Sequence, residues 1–260
     1  MNFNRLGLKK LISTHYNMDS SPSYAMTYDG KNPKDDINFS KGTKIPLKGN
    51  GDFRSDECVE LLKQSDLVIT NPAFSLFREY IVQLEEYNKQ FIVIGNVTAI
   101  AYKDIFPLIK DNKLWLGFSQ PKEFDTPNGM AKKVQTRWLT NVDTKKDVPK
   151  LETVYRWRKR KEKYPDLYQK YDNYDAIDVG KVLQIPLDYD GAMGVPITFL
   201  DKFNPDQFEI IGADESVGVG FSNGLLLKNG KRDKPFVNGK AKFKRIFIKN
   251  KHPEDYQNDL

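Results

Sequence analysis

Between residues 55 and 118, short uninterrupted apolar runs alternate with longer amphipathic ones, and few folds accept that alternation. Leu67-Val68-Ile69, residues 91–95 (FIVIG) and residues 114–118 (LWLGF) have no polar face. Runs this short, bounded by polar segments, read as strands covered on both sides. Between them lie helix patterns. Residues 55–64 offer Ser55 as a cap, Asp56 and Glu57 at the positive end of the helix dipole, and Val59, Leu61 and Leu62 as an apolar face. Residues 75–88 put Leu76, Phe77, Tyr80, Ile81 and Leu84 at helical spacing, and residues 99–111 read as a helix despite Pro107. The pattern predicts an α/β fold with a parallel sheet covered by helices on both faces. In such sheets ligands sit at the carboxyl ends of the strands.

The flanking regions are less regular. Residues 1–7 read as the tail of a helix ending at Gly7, residues 10–16 (KLISTHY) as a strand and residues 17–44 as a long loop. Residues 43–47 suggest a short strand that Pro46 places at an edge or an end. From residue 119 the texture becomes more β-rich. A Pro/Asn/Gly loop spans residues 120–129, a strand residues 134–141 and a charge run residues 156–163, and short apolar pieces follow over residues 171–250. Asn238-Gly239 marks a type I′ hairpin, and residues 241–249 alternate like a half-buried strand.

Composition sets outer limits. A single cysteine, Cys58, excludes an internal disulfide, and two histidines in 260 residues argue against a zinc site. No apolar run approaches the roughly 18–20 residues of a membrane span, and the first residues lack the apolar stretch of a signal peptide. These features predict a cytoplasmic protein that needs no metal. The formal net charge of +6 permits contacts to phosphate.

One segment suggests chemistry. The apolar strand at residues 67–69 runs into Asn71-Pro72-Ala73-Phe74, and a helix pattern begins at Ser75. Read alone, the tetrapeptide is also what a strand-to-helix turn with an Asn cap looks like. Its position and type resemble the amino-methyltransferase motif, Asp/Asn/Ser-Pro-Pro-aromatic. The chemistry explains those residue types. An exocyclic amine such as adenine N6 is a poor nucleophile, because its lone pair is delocalised into the ring. The Asn side-chain oxygen and the carbonyl of the next Pro can each accept one N6 hydrogen bond. Together they favour a pyramidal nitrogen and aim it at a methyl donor, while the aromatic residue stacks on the flipped base.

The surrounding text carries a wider resemblance. Residues 51–57 (GDFRSDE), 71–80 (NPAFSLFREY), 91–96 (FIVIGN), 105–109 (IFPLI), 171–177 (YDNYDAI), 193–200 (MGVPITFL) and 204–212 (NPDQFEIIG) are similar to the EcoRI-type adenine-specific DNA modification methylases. The similar blocks fall within residues 5–16 and 49–250. The resemblance implies an S-adenosylmethionine-dependent, Rossmann-like methyltransferase core over residues 1–118, with the remainder of the core and a DNA-recognition region over residues 119–260. It implies S-adenosyl-L-methionine as donor, double-stranded DNA as substrate, a restriction endonuclease acting alongside and a monomeric enzyme.

Carried onto this chain, the resemblance makes Asn71 and Pro72 the grip on N6 and Phe74 the stacking residue. Asp52 is then expected near the adenine or the donor's amino-acid part, and Phe53 against an aromatic ring. Asp52 also reads as a turn carboxylate. His15 could lie near the donor's ribose or be structural, and Asn96 could line the pocket or cap a helix. Arg156, Arg158, Lys159 and Arg160, within seven charges in eight residues, are candidates for phosphate contact or a solvated helix face. Arg137, Asn141 and residues 118–135 are candidates for reading bases.

The chain departs from the family pattern twice. Ala73 stands where a second proline is usual, although the carbonyl that matters belongs to Pro72. No Phe-x-Gly-x-Gly turn precedes Leu11, so the sheet is expected to be incomplete at its N-terminal side. A DNA-binding remnant without methyl-donor binding is the alternative these departures raise.

Overall fold

A computed structural model describes residue 3 and residues 7–30, 42–117, 119–121, 123–125, 129–143, 148–228 and 234–254. The chain forms two compact units: Met1–Val68 with Gln83–Gln90, and Ile69–Val82 with Phe91–Leu260. Among the described residues no helix is long and apolar enough to cross a membrane.

The first unit holds a three-stranded antiparallel sheet, β1 (Leu11–Thr14), β2 (Tyr24–Tyr28) and β3 (Thr43–Pro46), in that order. β2 lies inside the segment read from sequence as loop. The intervening Asn-Met-Asp-Ser-Ser-Pro run is a return, closed by His15 N donating to Tyr24 O at 2.9 Å and opened by Ser20 at φ 64°. Its dense turn chemistry masks the short strand that follows. Helix α1 (Asp56–Lys63) starts where the sequence put it, with Ser55 Oγ accepting from Cys58 N. The Glu57 carboxylate accepts from Lys48 N at 2.8 Å and Gly49 N at 2.7 Å, which ties α1 to the chain leaving β3. Ala25, Leu47 and Cys58 form the buried cluster, with Leu61 against it. The helix expected over residues 1–7 lies outside the described residues except for Phe3 and Gly7.

β4 (Leu67–Thr70), helix α2 (Phe77–Glu86) and β5 (Gln90–Asn96) follow the expected alternation. Beyond β5 the expectation changes. A 3-10 turn (Val97–Ala101) and a short helix α3 (Phe106–Lys110) replace the single helix, with Pro107 in the first turn of α3, where a missing N–H is harmless. β6 (Trp115–Leu116), an antiparallel ribbon of β7 (Glu123–Asp125) with β8 (Ala131–Lys133), and β9 (Thr136–Thr140) come next.

The sheet order is β4-β5-β9-β6, and β9 pairs antiparallel with both β5 and β6. β5 and β6 therefore run the same way with a reversed strand between them, so the sheet is not wholly parallel as expected. The local pattern that predicts a strand does not say which gap it fills, and the ribbon gives the chain room to turn back. β4, at the end of the order, is only half covered, with Ile69 54% exposed. α2 packs on β5 through Phe77, whose ring lies 2.8 Å from where a Cβ on Gly95 would be; Leu139 lies 2.9 Å from the same point.

A second four-stranded sheet has the order β10 (Ile177–Asp178), β11 (Met193–Pro196), β15 (Arg245–Asn250), β12 (Phe208–Ala213). β15 runs antiparallel to both neighbours, with a register shift between Ile210 and Gly212. The stretch 241–249 is split. Lys240–Ala241 forms β14, paired with β13 (Phe236–Val237) across Asn238 at φ 49° and Gly239 at φ 72°, the two positive angles a type I′ turn requires. β15 is buried at four consecutive residues rather than alternately, so both of its faces are covered there. Tyr171, Tyr174, Ala176, Ala192, Val237 and Phe247 form its core cluster.

A buried polar knot fixes this core. Asp178 accepts from Tyr171 OH at 2.6 Å and Arg245 Nε at 3.0 Å, and Lys242 Nζ lies 3.2 Å from its other oxygen. Burial, and then the Asp178 charge, push the Tyr171 phenol far above its ordinary range, so it stays a donor.

The Gly95 contact gives a measurable consequence. Gly95→Ala places a methyl group against the Phe77 ring and Leu139. Overpacking of this kind costs about 1–3 kcal/mol, to be read as a lowered midpoint in urea unfolding.

Candidate active site

The turn from β4 into α2 is built by hydrogen-bond accounting. Leu76 N takes the Ala73 carbonyl at 2.9 Å and Phe77 N takes the Phe74 carbonyl at 3.4 Å. Pro72 has no N–H to commit elsewhere and a fixed φ. Among the described residues, neither the Asn71 side chain nor the Pro72 carbonyl has a hydrogen-bond partner. Asn71 is exposed and Phe74 is 36% exposed. Two adjacent acceptors and an aromatic ring thus stand ready at the end of a strand. Ala73 occupies the position whose carbonyl the turn consumes, so the substitution leaves the Pro72 oxygen available.

His15, Asp52 and Phe53 come together in the first unit. Gly51, at φ 81°, passes so close to the strand that a Cβ there would lie 2.0 Å from His15 O. The His15 ring stacks on Tyr24 with centroids 4.9 Å apart, its Nδ1 lies 3.1 Å from Ser23 Oγ, and Ser23 Oγ also donates to the His15 carbonyl. Asp52 takes a fork from Arg54, Nε at 2.9 Å and Nη2 at 2.7 Å, and accepts Arg54 N at 2.9 Å. These bonds hold its carboxyl below the usual carboxylate range, against a smaller opposing effect of burial. The Arg54 guanidinium lies 5.3 Å from the Phe53 ring centre, and Gln83 Nε2 donates to Phe53 O at 3.1 Å.

Asn96 ends β5 and caps the following turn, its Oδ1 accepting from Thr98 N at 2.9 Å and Thr98 Oγ1 at 2.8 Å. One register step away, Gly95 faces Arg137 of β9. Arg137 is buried and its Nη2 lies 2.7 Å from Asp201, whose carboxyl is raised by burial against the pull of Arg137 and Lys202. Asn141 Oδ1 accepts from Phe91 N at 2.8 Å. Arg137 is thus paired with Asp201, and the Asn141 oxygen is taken by the start of β5. Arg137 lines a cavity of about 390 Å³, with Trp115, Gly117, Gln120, Asp201 and Lys202 among its other walls.

The charge run forms helix α4 (Trp157–Lys163), whose first N–H groups are taken by the Asp188 carboxylate, Trp157 N at 2.5 Å and Arg158 N at 3.3 Å. Trp157 packs on Tyr189, and Arg156 pairs with Glu254 at 2.8 Å. Arg158 and Lys159 are exposed. The Arg160 side chain lies outside the described residues, as do residues 118, 122 and 126–128 of the expected recognition loop.

Comparison with known proteins is decisive. The family model described as adenine-specific methyltransferase EcoRI matches residues 1–251. The chain belongs to the EcoRI-type adenine-specific methyltransferase family. It is 42% identical to the type II methyltransferase M.EcoRI of Escherichia coli, over 96% of this chain and 80% of that protein. It is 39% identical to M.MgeORF184P of Mycoplasma genitalium, over 95% and 81%, and 38% identical to M.MpnI of Mycoplasma pneumoniae, over 96% and 81%. No solved structure matches it significantly.

Sequence reasoning missed two parts of this methyltransferase: the Arg137–Asp201 pair, and the knot around Asp178. Their partners are 64 and 67 residues apart, and no local pattern signals such a pairing. The Arg54 fork is testable by titration. Asp52 has a depressed carboxyl pKa in the folded enzyme, so its stabilising contribution is complete above its unfolded value and is lost as pH falls through the folded one. Arg54→Gln is expected to move the Asp52 titration upward, towards the ordinary carboxylate value, as followed by carboxyl-carbon NMR.

Proposed function

We propose that this methyltransferase transfers a methyl group to N6 of an adenine swung out of duplex DNA at a specific sequence, as in protection against a restriction enzyme. The observation that carries the reading is the pair of uncommitted oxygens at the β4–α2 turn. Asn71 Oδ1 and the Pro72 carbonyl each accept one N6 hydrogen, so the nitrogen lone pair is withdrawn from the ring and directed along one line. Phe74 lays its exposed ring on the base and offsets part of the few kcal/mol lost on unstacking. The N6 proton is shed after transfer, when the nitrogen is cationic and acidic, so no strong base is required at the turn.

Donor binding fits the residues of the first unit. An ionised Asp52 can accept from an amino group, and the neighbouring Phe53 offers an aromatic face. We assign both to S-adenosylmethionine or the adenine, with His15 and Asn96 as flanking groups. S-adenosylmethionine, when bound, supplies the methyl group as an electrophilic sulfonium. Support for a doubly wound arrangement comes from β5 and β6: they run the same way, so Asn96 and Gly117 leave the sheet at one edge, the edge such folds use for ligands. For DNA, the exposed Arg158 and Lys159 of α4 and the net charge of +6 support phosphate contact, within a recognition region over residues 119–260.

The test is transfer of labelled methyl from S-adenosylmethionine to plasmid DNA, followed by digestion to nucleosides. The expected product is N6-methyladenine. Asn71→Ala is expected to lower the rate about 100- to 1000-fold, the scale of losing one preorganised hydrogen-bond partner of a transition state, with DNA binding retained. Label on another position, or an unaffected Asn71→Ala enzyme, would overturn the mechanism. DNA binding with no transfer by the unaltered chain would leave the DNA-binding remnant.

A further inference from the structure

At one end of the second sheet β11 stops at Pro196, β12 stops at Ala213 and β15 begins at Arg245, since Arg245 and Ile246 face Pro196 and Ala213 in the register. Among the segments that leave the sheet there are residues 214–224, after β12, and residues 242–244, between β14 and β15. Each carries an exposed apolar side chain. Val219 is 80% exposed and Phe243 is 69% exposed.

The charges at this end are sorted. Asp214 is fully buried, its carboxylate accepting from Arg245 N at 2.5 Å and Ser216 N at 3.0 Å. Glu215 turns back on its own loop, accepting from Gly220 N at 2.6 Å and Ser222 N at 3.2 Å. These two carboxylates are thus committed to backbone N–H groups, and Asp201 after β11 is paired with Arg137, while Lys240, exposed, and Lys244, half-buried, flank Phe243 in sequence.

The ring also stands on a fixed backbone. The Phe243 carbonyl accepts from Arg245 Nη1 at 3.1 Å, and the same guanidinium is held by Asp178. Lys242 N donates to Pro235 O at 2.7 Å and its ammonium reaches Asp178. The neighbouring loop is pinned by Phe221 against Phe106, centroids 5.8 Å apart. A single exposed apolar residue is ordinary on a protein surface. An exposed phenyl ring on a fixed backbone, flanked in sequence by lysines, suits the stacked bases and flanking phosphates of DNA.

We propose that this end of the second sheet faces DNA and that Phe243 stacks on a base whose neighbour has left the helix. Lys240 and Lys244 bind the adjoining phosphates. The proposal rests on the reading of the chain as a DNA adenine methyltransferase, because removing one base from the stack creates the vacant face that the ring would cover.

The experiment needs no methyl donor. A labelled mixed-sequence duplex, fully paired or with one central abasic position, is bound by the full chain and followed by fluorescence anisotropy. The unaltered protein is expected to prefer the abasic duplex about tenfold, since the unstacking cost is already met. Phe243→Ala should bind the two alike, and Phe243→Trp should keep the preference. Lys244→Gln should weaken both complexes equally and reduce the salt slope by about one. A preference that survives Phe243→Ala, or none in the unaltered protein, overturns the proposal while leaving Asn71-dependent methylation untouched. Failure of the unaltered protein to bind either duplex overturns this proposal and the DNA reading together. Self-association that is lost in Phe243→Ala, with DNA binding unchanged, assigns the face to a second copy of the chain and also overturns it.

Discussion

β9 is hydrogen-bonded on both sides, and much of the second unit depends on that. Its register fixes β5 on one flank and β6 on the other. Thr140 Oγ1 donates to Phe91 O at 2.6 Å and Asn141 receives Phe91 N, so the start of β5 is stitched to the end of β9 by side chains as well as backbone. At its other end Arg137 reaches Asp201, in the 3-10 turn (Ile197–Lys202) that follows β11 of the second sheet. One internal strand therefore sets the line of β5 and links the two sheets. A half-buried ion pair is a weak source of net stability; its consequence here is to fix where the turn after β11 lies.

The β4–α2 turn follows a different logic. What sets it apart is what the backbone leaves uncommitted. Ala73 and Phe74 give their carbonyls to the first turn of α2, and Pro72 brings no donor that would need a partner, so one carbonyl and one amide side chain remain for a ligand. An exposed acceptor costs little while water satisfies it, and a substrate amine can replace that water without breaking a protein hydrogen bond. At Ala73 the chain departs from the motif without touching the Pro72 carbonyl, because the carbonyl the turn consumes is that of Ala73 itself.

What was legible in the sequence was local. Ser55 and its acidic neighbours marked the start of α1, Asn238-Gly239 marked its hairpin, and Asn71 to Phe74 could be placed between strand and helix by hydrophobic spacing alone. What was illegible was set by distance or by competing local signals. β2 is hidden behind a run of turn residues. Residues 99–111 carry apolar spacing for one helix, but Pro107 is accommodated by restarting the helix around it. Arg137 has the chemistry of a base reader and lies on an internal strand, paired with the partly exposed Asp201 carboxylate. Phe243 sits in an alternating pattern that suggests a strand, and it falls in the segment just before one.

The sequence by itself determined the order of the elements, the turn that presents Asn71 and Pro72, and the family, because each depends on neighbours within a few residues or on the text of the chain. Tertiary structure alone decided the reversal of β9 between β5 and β6, the burial of Arg137 against Asp201, and the exposure of Phe243 over the Asp178 knot. Those outcomes depend on which strand fills which gap, a choice made by packing between segments tens of residues apart, on which short-range periodicity has no bearing.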